Sequence, residues 1–286
     1  PLHISNNVQC DLFADDSTLH FADKSVDTIT AELQSSLRDV SSWCETNHML
    51  LNPIKTESML LATRQRHQLN IPPLKLSIKT AEIKQVPEHR LLGVTIDEQF
   101  KWQSHIDSVC KSASKNLFML AKLKHIVDQD CRKLFYNAYI KPSIDYVSNV
   151  WDSSSEVHLQ RLNSLHRRAI KLIHPVSSLS TDDKFKALDF LSMSDQHKVN
   201  KCMLMHSIVY GKTPDYLKQL IGKPSTRASH SRNSLIPLPL PKIDLFKASL
   251  AFSGPALWNY LPPRITNIKS RAGFRSSLIN FFLNKT

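Results

Sequence analysis

The spacing of apolar positions changes repeatedly along this chain, and each change predicts an element. From Val8 to Ala22 the text reads VQCDLFADDSTLHFA, two short apolar, β-favouring runs around Asp15 and Asp16. This is the pattern of a hairpin with both carboxylates at its tip. Ile29, Leu33, Leu37, Val40 and Trp43 then recur at steps of four and three. That period predicts an amphipathic helix from Val26 to Asn47, with its apolar stripe covering one face of the hairpin's sheet. Asn52-Pro53 ends the helical pattern, and a polar, basic loop runs on through Arg64 and Arg66.

Leu74, Leu76 and Ile78 alternate strictly and are followed by Arg90-Leu-Leu-Gly-Val-Thr-Ile-Asp97. Together these runs predict a second β-hairpin. From Lys101 the period becomes helical, with Trp102, Ile106, Val109, Ala113, Leu117 and Leu120 on one face. Further helices are expected near 130–141 and 155–173, with a pair across 183–221. Pro224 to Pro241, rich in Ser, Arg and Pro and including IPLPLP, reads as an extended linker, and Phe246 to Leu283 as a small terminal module. The fold class is therefore α+β and mostly α, with two β-hairpins followed by helices.

Composition agrees: 5 glycines in 286 residues leave few glycine-dependent turns and favour long helices. Lys and Arg number 37 against 25 Asp and Glu, a formal charge of +12, which suits a polyanionic partner. On the helix at 155–173, Leu162, Leu165, Ala169 and Leu172 share one side. Gln160, Ser164, Arg167 and Lys171 lie opposite, with Arg161 and Arg168 at the border. Such a face could follow a phosphate backbone, or could simply be solvated. No run approaches the roughly 18 apolar residues of a membrane span, and no signal-peptide pattern opens the chain. The expectation is an intracellular protein, nuclear or cytoplasmic and not secreted.

The five cysteines lie far apart without a C-x-x-C pair, as expected of reduced and mostly buried thiols. The histidines have no carboxylate partner at helical spacing, and Trp102, Trp151 and Trp258 read as core anchors. The first residue is Pro1 and a strand-like run follows within a few residues, so the N-terminus reads as cut.

Paired carboxylates on a rigid hairpin tip suit two-metal phosphoryl transfer, in which divalent ions bridge an attacking hydroxyl and a triphosphate. Asp is also a favoured turn residue, so the surrounding residues must decide. Phe13-Ala14-Asp15-Asp16-Ser17-Thr18 resembles the palm motif of reverse transcriptases in the form found in non-LTR, LINE-type retrotransposons. Trp43-Cys44, Leu51-Asn52-Pro53-Ile54-Lys55-Thr56, Arg90 to Asp97, Trp102 and His105-Ile106 resemble later signatures in that family's order. So do Tyr139 to Tyr146, Trp151, Arg167-Arg168-Ala169 and Ala256 to Pro262, in the manner of the Jockey-like and CR1-like branches.

The resemblance implies a partial palm, a helical thumb and a helical C-terminal module, in a C-terminal fragment beginning just before the aspartate motif. It implies RNA-directed DNA synthesis with Mg2+, an RNA template, a DNA primer and dNTP. Asp15 would be the principal metal ligand and Asp16 its helper, Lys55 would lie near the incoming triphosphate, and Leu92 and Gly93 would form the primer-grip turn. Lys55 also reads as an exposed loop lysine, and Leu92-Gly93 as a turn needing positive φ. Arg161, Arg167, Arg168 and Lys171 would meet nucleic acid.

The implied divisions are 1–62 for the palm remnant, 63–98 for the primer-grip hairpin and 99–176 for the thumb. A connector at 177–223, a linker at 224–245 and a C-terminal module at 246–286 follow. The family's earlier palm aspartate and its fingers are not found here, so the chain alone is expected to be inactive. Two competing readings are a non-catalytic nucleic-acid-binding remnant and a scaffold whose basic helix lies on anionic membrane.

Overall fold

The computed structural model describes residues 7–69, 71–176, 178–221 and 236–284. The chain divides into two compact units, Pro1–Trp102 and Gln103–Thr286. Among the described residues it is mostly helical, with the strands in small pairs that all lie in the first unit.

In the N-terminal unit, β1 (Gln9–Phe13) pairs antiparallel with β2 (Asp16–His20), in a register running from Gln9↔His20 to Phe13↔Asp16. α1 (Val26–Thr46) starts where the Ser25 hydroxyl accepts from the Thr28 N–H, with Asp27 in the first turn favouring the helix dipole. It ends at Asn47, whose N–H bonds to Trp43 O, with His48 in the left-handed region. β3 (Glu57–Ser58), the short helix α2 (Arg64–His67), β4 (Ser77–Ile78), β5 (Ala81–Glu82), β6 (Lys84–Gln85), β7 (Glu88–Leu91) and β8 (Val94–Asp97) follow.

Two expectations are corrected here. The run at 74–78 does not pair with 90–97: β4 turns back on β5 through Lys79, at φ 55°, while β7 pairs with β8 around Leu92-Gly93. β3 adds a parallel pairing with β6. The stripe of α1 also packs chiefly on β4–β5 rather than on the aspartate hairpin. Ile29 joins Leu74, Leu76, Ile78 and Ile83 in one core, flanked by Leu33 and Leu37. The Gln34 amide fixes this docking by accepting from Ser77 N–H at 2.8 Å and donating to Ser77 O at 2.9 Å.

The C-terminal unit begins with α3 (Gln103–Leu123), which buries Ile106, Val109, Ala113, Leu117 and Leu120 on the face its period predicts. α4 (Gln129–Phe135) is capped by Asp128, which accepts from Cys131 N–H at 2.8 Å. The expected helix to 141 then widens into a π-helical turn, Tyr136–Ile140, before α5 (Lys141–Asp145). Pro142 supplies a reason, because it lacks an N–H and its ring would strike the carbonyl four residues earlier. α6 (Ser148–Trp151) and α7 (Glu156–Ile173) follow, then α8 (Thr181–Ala187), α9 (Met193–Val209) and α10 (Asp215–Leu220), three helices where a pair was expected.

Residues 224–235 of the expected linker lie outside the described residues. From Ile236 the chain is anchored: the Ile236 N–H and O bond the Asn259 amide at 2.9 and 2.8 Å, and its side chain is buried. α11 (Asp244–Ala248), α12 (Leu250–Tyr260), α13 (Pro263–Thr266) and α14 (Arg271–Leu283) complete the unit. α9 is buried nearly all round and forms the axis of a core that includes Met205, Ile208, Trp258, Phe274 and Leu278. Trp151 is fully buried, with the His105 and His197 rings against it.

Candidate functional site

β1 and β2 lift Asp15 and Asp16 into solvent. The ladder closes at Phe13↔Asp16, which leaves Ala14 and Asp15 as a two-residue loop. Ala14 has φ 54°, a region that costs an L-residue with a Cβ roughly 1–2 kcal/mol. The tip thus holds a strained residue beside the two carboxylates, with no glycine to relieve it. Both aspartates are exposed, as are their apolar neighbours Leu12 and Phe13, while the base of the hairpin is tied down by buried Val8. On the strands behind the tip, His20 bonds Gln9 at 2.7 Å and lies 3.4 Å from Asp11.

Mg2+ is held in many sites by one or two carboxylates together with substrate phosphates and water. The two tip carboxylates are hard, solvent-facing oxygen donors of that kind. Among the described residues, no group of three His, Cys, Asp or Glu is gathered for a metal.

Lys55 is exposed in a turn built on Asn52, whose side-chain oxygen accepts from Ile54 N–H at 3.0 Å and Lys55 N–H at 3.3 Å. Among the described residues, no hydrogen bond or ion pair joins Lys55 to either aspartate. Leu92 and Gly93 sit between Leu91↔Val94 with φ of 46° and 85°, the two positive values of a type I′ hairpin. That hairpin is well anchored. The Asp97 carboxylate accepts from the main-chain N–H groups of Gln99, Lys101 and Trp102 at 3.1, 3.0 and 2.7 Å. His89 meets Glu57 at 2.8 Å.

On α7 the buried side comprises Leu162, His166, Ala169, Ile170 and Ile173, with Leu165 and Leu172 half-buried. Two of the four cations expected to meet nucleic acid are already paired. Arg161 reaches Asp107 at 2.6 Å and Arg167 reaches Asp182 at 2.9 Å, whereas Arg168 and Lys171 are exposed. Both acids lie outside α7, so helical spacing could not reveal them.

The strongly shifted groups of the C-terminal unit lie in its interior. His166 accepts or donates at Nδ1 with the Tyr136 hydroxyl at 2.7 Å, and burial, aided by Lys141, pushes its pKa down to about 3. His197 is pushed to about 4 by burial and by Lys201. Burial also raises Asp145 and Asp152, although Lys141 and Lys201 oppose the shift. These neutral histidines and paired lysines organise helix packing. Cys44, Cys110 and Cys202 are buried, and all five thiols are free.

No protein-family model matches the chain, and no solved structure matches it. The chain is similar to the RNA-directed DNA polymerase from mobile element jockey of Drosophila melanogaster, at 21% identity over 164 residues. The match covers 56% of this chain and 17% of that protein's length. It supports a relation to reverse transcriptases of non-LTR retrotransposons.

Proposed function

We propose that this chain is part of an RNA-directed DNA polymerase of the non-LTR retrotransposon type, and that the β1–β2 tip contributes two of its metal-binding carboxylates. The observation carrying this reading is the exposed loop that presents Asp15 and Asp16 together. Left-handed non-glycine residues also stand at His48, Lys79 and Leu92, so it is the side-by-side exposure of two carboxylates, and not φ at Ala14, that sets this tip apart. Similarity to the jockey polymerase supports the polymerase part of this reading.

Two divalent ions, Mg2+ in this class, would supply charge neutralisation for the attacking primer hydroxyl and the leaving pyrophosphate. Asp15, within the loop, and Asp16, at the first residue of β2, hold oxygen donors at fixed positions on the ladder. Lys55 would offer its ammonium to the triphosphate, and the Leu92-Gly93 turn would let backbone approach the primer end. Arg168 and Lys171, with Arg161 and Arg167 beside their acidic partners, would steady the template–primer backbone. The partners are an RNA template, a DNA primer and dNTP. In this reading the chain by itself incorporates no dNTP, because among the described residues no third carboxylate joins Asp15 and Asp16.

The test is incorporation of labelled dNTP on an RNA–DNA primer–template, by this chain and by the same chain expressed with the coding sequence adjoining it in its gene. The extended protein incorporates, and Asp15→Asn or Asp16→Asn reduces it to background. Incorporation that survives both substitutions contradicts the assignment.

A further inference from the structure

The IPLPLP run at 236–241 has no part in the polymerase reading. Every residue in it is a proline or precedes one. Proline holds φ near about −65°, and the residue before a proline is driven to extended backbone, so all six positions are restrained before any partner arrives. The run belongs to no helix or strand, and α11 begins only after Ile243, itself extended at φ −139° and ψ 150°. These restraints favour a polyproline II segment, with about three residues per turn and about 3.1 Å of rise per residue.

One edge of that segment is taken up by the protein itself. Ile236 is buried, and its N–H and O bond the Asn259 amide. At about three residues per turn Ile236 shares its edge with Pro239, so the other two edges turn away from the anchor. Pro237 and Leu240 form one of them, Leu238 and Pro241 the other. Leu240 is 92% exposed and Leu238 46%, while Pro237 is exposed and Pro241 half-buried. Two apolar pairs, Pro237-Leu238 and Leu240-Pro241, therefore face outward about 9 Å apart along the axis.

A single exposed leucine needs no explanation, but here two stand on a pre-ordered apolar ridge. A sheet edge fits that ridge less well: three of the five residues at 237–241 are prolines without an N–H, so the main chain offers a ladder at most two donors. Main-chain bonds are what hold an added strand. An aromatic groove uses what the ridge does have, because Trp and Tyr rings pack on proline and leucine while their N–H and O–H groups donate to main-chain carbonyls. Lys242, exposed beside the last proline, suits an acidic residue at the rim of such a groove.

We propose that the ridge at 237–241 docks in the aromatic-lined groove of a partner protein, of the kind that SH3, WW and EVH1 domains present to proline-rich segments. Pre-ordering lowers the entropy cost of docking, so a short contact suffices for a transient complex. The ridge belongs to the C-terminal unit, and the proposal does not depend on the polymerase reading.

The experiment measures binding of the full chain to a panel of isotope-labelled SH3, WW and EVH1 domains, read from the chemical shifts of each domain. At least one domain binds through its aromatic groove, and a free proline-rich peptide displaces the chain. Leu238→Ala/Leu240→Ala weakens binding at least about tenfold through the loss of two apolar contacts. Pro239→Ala, on the anchored edge, weakens it only about two- to fivefold by releasing a restraint. The leucine variant keeps the parent's thermal unfolding midpoint, because both side chains are exposed. No binding across the panel, binding that the leucine changes leave intact, or a loss in Pro239→Ala as large as that in the leucine variant overturns the proposal.

Discussion

Hairpin β1–β2 exposes Leu12 and Phe13 to 70% and 64%, whereas β7–β8 exposes Leu92 to 45% and buries the next strand residue, Val94, at 5%. The far strand of β7–β8 ends at Asp97, whose carboxylate accepts three main-chain N–H groups, while β1–β2 ends in a tip that bonds to nothing beyond its own ladder among the described residues. The turns differ as well: Leu92-Gly93 places glycine at one of its two positive φ values, and Ala14 bears one without glycine. The buried Val94 and the three hydrogen bonds to Asp97 hold the second hairpin in place. The first presents carboxylates and apolar surface outward and gains little stability by doing so.

Removing the anchor should break this contrast most severely. Asp97→Ala leaves three N–H groups without their acceptor and should cost the chain about 2–3 kcal/mol in urea denaturation, while Asp16→Ala stays within about 0.5 kcal/mol. Next comes the apolar contact. Val94→Ala should cost about 1.5–2 kcal/mol, and Leu12→Ala at its exposed site should be close to neutral by the same measurement. The smallest effects are opposite in sign: Gly93→Ala should destabilise by about 1 kcal/mol, and Ala14→Gly should stabilise by about 0.5 kcal/mol. If Ala14→Gly also lowers dNTP incorporation by the extended protein, the strained loop matters for positioning the aspartates.

Where local pattern and packing agree, the sequence is informative. The aspartates stand at a hairpin tip as VQCDLFADDSTLHFA suggests, α1 ends one residue before the expected Asn47, and Trp102, Trp151 and Trp258 are buried. It is less so where a turn lacks its usual residues: Lys79 takes a left-handed conformation without glycine or asparagine, so the β4–β5 reversal is invisible to composition. In α12 the pair Gly254-Pro255 reads locally as a break, yet both residues are buried within the helix, where Gly254 lies against Met205 of α9. Tertiary packing overrides propensity there.

The site divides in the same way. The position of Asp15 and Asp16 follows from local pattern, but the partners of Arg161 and Arg167 lie 54 and 15 residues away, in other elements. Periodicity assigns a residue to a face and says nothing about which acid comes to meet it. For His20, His67 and His89 the carboxylates lie across strands or loops, at Asp11, Glu98 and Glu57, where helical spacing does not look.

The central claim is that the β1–β2 tip holds divalent ions, and Mn2+ in place of Mg2+ tests it most directly. Amide signals of the chain are recorded with an RNA–DNA primer–template and dNTP as Mn2+ is added. The account predicts selective broadening at Ala14 to Ser17 that Asp15→Asn removes. Broadening spread evenly over the exposed carboxylates, or unchanged in Asp15→Asn, would contradict it.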